Sequence, residues 1–301
     1  MRALLAYDGS SGAAQAATLT GAIAWPSDST LRVVSAIGPM PMLSASPWAG
    51  GMPTATTPDL ETQVTAYFEA ETAEVVKRLQ SPGRSVEGAV LRGRPASVLV
   101  DEAHAFGADV VIVGSRGQGP IAELLLGSVS SEVVDHAGCP VLVARQPGIR
   151  RILFASDGSP SALAAEAVLA DWPIFDGLPI RVVSVADVVQ PWHTGIAPTM
   201  YRQVLDAYAK DLEESQAEHG RVADESARRL REAGREAESH FCTGDPAVKI
   251  IAVAGDWDAD LIVLGSRGRT GLTRVLLGSV ARNVVHGSRA SVLVVRDPDE
   301  V

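Results

Sequence analysis

The stretch Leu261-Ile262-Val263-Leu264-Gly265-Ser266-Arg267-Gly268, completed by Gly278-Ser279 after nine further residues, decides how this chain folds. Four consecutive apolar residues ending at a glycine read as a short strand buried on both faces. Gly278-Ser279 opens a helical-looking segment from Val280 onward, which leads to a second apolar run, Ser291 to Val295. A strand, a glycine-punctuated loop and a helix N-terminus together favour an anion, because the first N–H groups of a helix are unpaired and its dipole is positive there. The same arrangement stands earlier, at Gly114, Gly117, Gly127 and Ser128, so both copies read G-x-x-G, nine residues, then G-S.

Working outward, the repeat covers much more than the loop. Ala3-Leu4-Leu5-Ala6-Tyr7-Asp8-Gly9-Ser10 returns 149 residues later as Ile152-Leu153-Phe154-Ala155-Ser156-Asp157-Gly158-Ser159, and Leu31 to Ser35 returns as Ile180 to Ser184. Gly93 and Gly114 return as Gly244 and Gly265, now 151 residues later. The two-residue change therefore falls between the second strand and Gly93. Two copies of about 150 residues are a duplicated domain, and each is long enough to bury its own core. The boundary is expected at Gln146-Pro147-Gly148, giving domains 1–147 and 148–301.

Within the first copy, strands are expected at about 2–7, 31–37, 86–91, 109–114 and 140–144, with helices between them. Strands alternating with helices imply right-handed crossovers and a doubly wound α/β sheet. The helix expected over 59–80 lines up Leu60, Val64, Phe68, Glu71, Val75 and Leu79 on one side, apolar except for Glu71. Its counterpart, 202–233, is longer and charge-rich, and a run of that kind reads as a solvated face. The loops after strand two, 38–57 and 187–200, differ most between copies and suit either variable segments or lids.

Ligands of such sheets bind at the carboxyl ends of the strands, where the strand order switches. Asp8 and Asp157 end the first strands there, beside the loops at Gly114 and Gly265. An aspartate before a helix is ordinarily a cap, yet Ser159-Pro160 suits N-cap and first helical position better, and Ser10-Ser11 can serve in the first copy. The carboxylates are then expected to face the crevice, able to accept from a base or ribose or to sit near a metal ion balancing phosphate. The glycines let backbone approach phosphate oxygens, and Ser128 or Ser279 adds a hydroxyl donor. The competing reading is a plain turn and helix cap. Neither the ending of a Walker loop nor a dinucleotide fingerprint is present.

Composition narrows the function classes. The chain carries 46% apolar and 21% charged residues and a net charge of −10, with 9 Lys/Arg against 14 Asp/Glu in residues 1–148 and 17 against 22 in 149–301. Each half is acidic, which argues against nucleic acid as a general partner. Cys139 and Cys242 do not occupy matching places, and no cysteine or histidine spacing suits a metal, so a reducing compartment is expected. The apolar run at the start is too short for a signal-peptide core, and no run reaches the ~18 residues of a membrane span. A cytoplasmic protein without membrane contact is expected. No nucleophile–base arrangement is inferable, so no catalytic residue is assigned and a fast hydrolase is not favoured.

On these residues the two halves resemble universal stress protein domains, and the chain resembles the tandem form of that family. The family's ATP-binding signature, G-x-x-G-(nine)-G-[ST], is matched at Gly114, Gly117, Gly127, Ser128 and at Gly265, Gly268, Gly278, Ser279, and its strand-one aspartate at Asp8 and Asp157. The resemblance implies two five-stranded parallel sheets of order 3-2-1-4-5, with adenine met by the backbone at Ala36 and Val185. It also implies ATP as ligand, with Mg or Mn accompanying the phosphates and the metal's identity open. Pairing is implied through the fifth strands, 140–144 and 291–295, in a homodimer or between the chain's own halves.

The function expected is a stress-response regulator that acts through nucleotide-dependent conformation and an unidentified protein partner. The alternative is a slow ATPase or nucleotide-dependent transferase using the same sites. Two departures separate the copies. Gly117-Gln118-Gly119-Pro120 stands where the second copy has Gly268-Arg269-Thr270-Gly271, so Arg269 is expected to add a phosphate contact and tighten the second site. Cys139-Pro140 stands where the second copy has Ala290-Ser291, which is expected to alter how the last strand begins.

Overall fold

The computed structural model describes residues 1–39, 58–115, 126–187, 198–268 and 277–297, which divide into two units at Pro147/Gly148. The first contains β1 (Arg2–Ala6), α1 (Ser11–Ala22), β2 (Ser29–Ile37), α2 (Pro58–Leu79), β3 (Arg84–Arg92), α3 (Pro95–Phe106), β4 (Val110–Gly114), α4 (Ser128–His136) and β5 (Val141–Ala144). The second contains β6 (Ile152–Ala155), α5 (Pro160–Asp171), β7 (Ile180–Ala186), α6 (Pro198–Glu232), β8 (Ala237–Thr243), α7 (Pro246–Asp256), β9 (Leu261–Gly265), α8 (Ser279–Gly287) and β10 (Ser291–Val295).

Both units carry the parallel α/β sheet that the sequence implies. The strands of the first run in the order β3-β2-β1-β4-β5 and those of the second in the order β8-β7-β6-β9-β10. The order reverses between β1 and β4, where Ala3 lies opposite Val110 and Leu5 opposite Ile112. Its counterpart pairs Ile152 with Leu261 and Ala155 with Leu264. The central strands are covered on both faces, so Leu4, Val111, Ile112, Leu153, Phe154 and Ile262 are fully buried. That is why they read as unbroken apolar runs.

The helices on the switch-point strands bury small residues, Ala13, Ala16 and Ala17 in α1 and Ala162 and Ala165 in α5. Small side chains let a helix approach a strand closely, and the strand responds in kind. A Cβ at Gly114 would lie 2.5 Å from the Gly12 carbonyl carbon, and one at Gly265 would lie 2.4 Å from Ser161 Oγ. Glycine is required there by contact alone. The helices begin as their sequences dictate. Ser10 and Ser159 are the N-caps, accepting from Ala13 N at 3.2 Å and Ala162 N at 3.3 Å, and Pro160 takes the first helical position.

The expected apolar side of α2 is only half used. Thr72, Val75 and Leu79 are buried, but Leu60 is 45% exposed, and the helix buries side chains fully only from Thr72 onward. Glu71 belongs on that side for a reason: its carboxylate meets the Tyr7 hydroxyl at 3.5 Å. The two-residue shift between copies is also located. Leu79 and Leu230, both fully buried near the ends of α2 and α6, are already 151 apart, so the shift precedes them. Pro140 explains the differing last strands. Ser291 N donates to Asp260 O at 2.9 Å, a bond proline cannot make, so β10 has five residues and β5 four.

One ion pair holds α6 to α5. Arg229 grips both oxygens of Glu166, with Nη2 to Oε2 at 2.9 Å, and also donates to Ser226 Oγ at 3.2 Å. Glu166 is only 7% exposed. Removing the cation strands a buried carboxylate, so Arg229→Ala is expected to cost about 3 kcal/mol in urea unfolding. The double variant Arg229→Met with Glu166→Leu should recover most of that loss, since the charge is removed with its partner.

Candidate functional site

The strand ends bring together what the sequence pattern singled out. In the second unit Asp157 follows β6, and its Oδ1 accepts from Ser159 N at 3.0 Å. A Cβ added to Gly268 would lie 2.9 Å from Asp157 Oδ2, so the carboxylate and the glycine loop are neighbours. In the first unit Asp8 Oδ1 accepts from Ser10 N at the same 3.0 Å. The serines are the N-caps, as expected, and the aspartates take part in the same turn. One oxygen of each closes that turn, because the chain must reverse between strand and helix there.

The two arms of the glycine loop close on each other as the spacing suggests. Gly278 N donates to Ser266 O at 2.8 Å, and a Cβ at Gly278 would meet that oxygen at 3.2 Å and Arg267 Cα at 3.4 Å. Leu277, just before it, is buried and anchors the returning arm in the core. The first unit repeats the closure, with Gly127 N donating to Ser115 O at 3.0 Å and Ser130 Oγ to Gly114 O at 2.7 Å.

Gly127 and Gly278 are the N-caps of α4 and α8 and have no side chain with which to cap them. Ser128 and Ser279 are therefore the first helical residues, both exposed. Two features of the arrangement favour an anion: backbone N–H groups at a helix start and a glycine arm that a side chain would obstruct. Gly117 and Arg269, like Gln118 to Pro120 and Thr270-Gly271, lie outside the described residues, as do Leu124, Leu125, Val275 and Leu276. So do 40–57 and 188–197, the greater part of the two loops after the second strands.

Ala36 and Val185 stand one residue before the ends of β2 and β7, at the same edge of the sheet as Asp8 and Asp157. Ala36 is half-buried and Val185 is 8% exposed. The strand ends are fixed by backbone bonds on either side. Tyr7 N donates to Val34 O and Gly93 N to Ile37 O, while Ser156 N donates to Val183 O and Gly244 N to Ala186 O.

Behind the first aspartate, Tyr7 is held above its ordinary pKa by burial and then by the neighbouring Glu71 charge. In the second unit Ser156 stands in place of Tyr7, 3.4 Å from Ser226, and Ser184 lies 2.9 Å from His219 Nδ1 where its counterpart Ser35 meets Thr72. The sequence signal for the Tyr7 contact was Glu71 on an apolar face. For the Ser156 contact it was only the difference between the copies.

The second unit also holds a contact that sequence reasoning missed. Ser161 Oγ donates to Arg267 O at 2.6 Å and accepts from Arg267 N at 3.2 Å, while Ser159 Oγ reaches the same carbonyl at 3.2 Å. These hydroxyls fasten the first arm of the loop to the first turn of α5.

Neither cysteine is set up as a nucleophile. Burial pushes the Cys139 thiol up to about 11, and burial also raises Cys242, with Lys249 opposing it. Among the described residues no three His, Cys, Asp or Glu side chains gather to hold a metal ion, and no helix is long and apolar enough to cross a membrane.

Comparison with known proteins bears on the family. The model described as "Universal stress protein family" matches residues 1–145 and again 148–296. A universal stress protein of Mycobacterium tuberculosis is 33% identical over 224 residues, 70% of this chain and 69% of that protein. One from Thermus aquaticus is 36% identical over 143 residues, 47% of this chain and 96% of its own length. Among solved structures, a universal stress protein from Archaeoglobus fulgidus superposes with a TM-score of 0.66 at 19% identity, covering 98% of both chains.

Proposed function

The chain belongs to the universal stress protein family, and from that premise we propose that it binds ATP, one molecule in each unit, as a regulator of a stress response. One observation carries the reading. In the second unit the arm Ser266–Gly268, the helix start at Gly278-Ser279 and the Asp157 carboxylate converge at the switch point of a parallel sheet. Phosphates would lie against Gly268, Gly278 and Ser279, and against Gly127 and Ser128 in the first unit. The base would lie near Val185 or Ala36. Asp157 and Asp8 would face the ribose or a divalent cation, Mg or Mn, that accompanies the phosphates.

On this reading the protein holds ATP without fast turnover, in the cytoplasm, and signals through a nucleotide-stabilised surface offered to a protein partner or a second copy of the chain. Mass action sets the scale. ATP at roughly a thousand times its dissociation constant adds about 4 kcal/mol of folded-state stability per site.

Native mass spectrometry of the purified protein tests the reading directly. The expected spectrum shows adenine nucleotide retained at up to two per chain, or taken up on adding ATP, together with the mass of any self-association. A protein that takes up no ATP at millimolar concentration overturns it. Rapid steady-state phosphate release in the presence of Mg would instead favour the ATPase reading of the same sites.

A further inference from the structure

The two units differ at one buried position that bears on their loops. Ser161 is 1% exposed, so it cannot itself touch a ligand. Its hydroxyl nevertheless makes both hydrogen bonds to Arg267, donating to the carbonyl at 2.6 Å and accepting from the amide at 3.2 Å. Arg267 precedes Gly268, whose bare Cα lies beside Asp157. The residue at the corresponding place in the first unit, 149 earlier, is Gly12, which has no hydroxyl to offer. The fit around Ser161 is close. The bare Cα of Gly265 lets the first turn of α5 come close enough for this, since a Cβ there would meet Ser161 C and Ala162 N at 2.7 Å.

We propose that Ser161 is a positioning residue for the second nucleotide site, holding the arm Ser266–Gly268 in its binding shape before ligand arrives and making this the tighter of the two sites. The inference rests on the nucleotide reading above. The physical basis is preorganisation: a loop already ordered loses less conformational freedom when ligand binds. Without the hydroxyl, Arg267 N–H loses this acceptor and Arg267 O loses the shorter of its bonds to the two serines. This origin of asymmetry between the sites is separate from the Arg269 contact expected from the sequence.

The test uses full-length protein carrying Gly127→Asp, which places a carboxylate in the first loop so that the second site titrates alone. Calorimetry with ATP is expected to show Ser161→Ala binding roughly tenfold more weakly, with Ser161→Thr, which keeps the hydroxyl, restoring most of the loss. Hydrogen exchange on ligand-free protein should show the Arg267 and Gly268 amides exchanging faster in Ser161→Ala. A merely structural serine would lower the melting temperature and leave affinity within about twofold. That result overturns the proposal, as does unchanged exchange at Arg267. If the Gly127→Asp background itself binds no ATP while the wild type binds one or none, the nucleotide reading of the second site fails and the proposal falls with it, an outcome distinct from normal binding that Ser161→Ala leaves unchanged.

Discussion

Gly268→Asp is expected to abolish ATP binding in the second unit, weakening it by more than about a hundredfold. The Cβ of any replacement falls 2.9 Å from Asp157 Oδ2, closer than such atoms normally approach, so the added carboxylate is forced beside an existing one. Two like charges ~4 Å apart repel by about 4 kcal/mol near a protein surface, and a polyanionic ligand meets both. The readout is the thermal shift produced by ATP, with calorimetry counting sites. Wild-type protein should titrate two and the variant one. Gly268→Ala separates size from charge and is expected to weaken the site far less, because the methyl group can be met by a small movement of the Asp157 side chain. An unchanged two-site titration in Gly268→Asp would remove this loop from the binding site.

The second large effect concerns folding. Gly265→Ala is expected to destabilise the second unit by about 3 kcal/mol, an unusually high cost for one methyl group. The new Cβ would sit 2.4 Å from Ser161 Oγ and 2.7 Å from both Ser161 C and Ala162 N, all in the first turn of α5. Backbone atoms of a capped helix cannot turn aside as a long side chain can. Gly114→Ala meets the same obstacle in the first unit, at 2.5, 2.7 and 2.8 Å from Gly12 and Ala13 backbone. Urea unfolding monitored by the tryptophans, among them Trp172 beside α5 in the second unit, reads the loss. Stability within about 0.5 kcal/mol of wild type would contradict the packing of α5 on β9 described here.

The residues that made the fold legible act locally or by period. Leu261 to Leu264 is buried on both faces and reads as an unbroken apolar run, and Ser159 caps the helix that begins at the next residue, accepting from Ala162 N three residues on. Duplication added a second sample of each pattern, which is why Gly114 and Gly265 match in the sequence alone. What stayed hidden depends on distance through space. Nothing near Ser161 in the chain indicates that its hydroxyl meets Arg267, 106 residues on. Likewise Leu60 satisfies the helical period yet is exposed, since period records which side a residue is on and not how far the neighbouring layer extends. The aspartates show the same limit within one residue: sequence placed Asp8 and Asp157 at the crevice, but not the division of labour between their two oxygens.

Helix α6 is 35 residues long, against 22 for α2. At 1.5 Å per residue it spans about 52 Å, while a strand of seven residues such as β8 spans about 23 Å. Among its described side chains the fully buried ones, Ala223, Ser226, Ala227 and Leu230, gather toward its C-terminal end, where Arg229 also grips Glu166. Mechanically the helix has the length of a lever with its fulcrum at these residues. A tilt of about 5° at the fulcrum carries the far end through about 4 Å, so a displacement too small to disturb the packed sheet becomes one that a neighbouring molecule can feel.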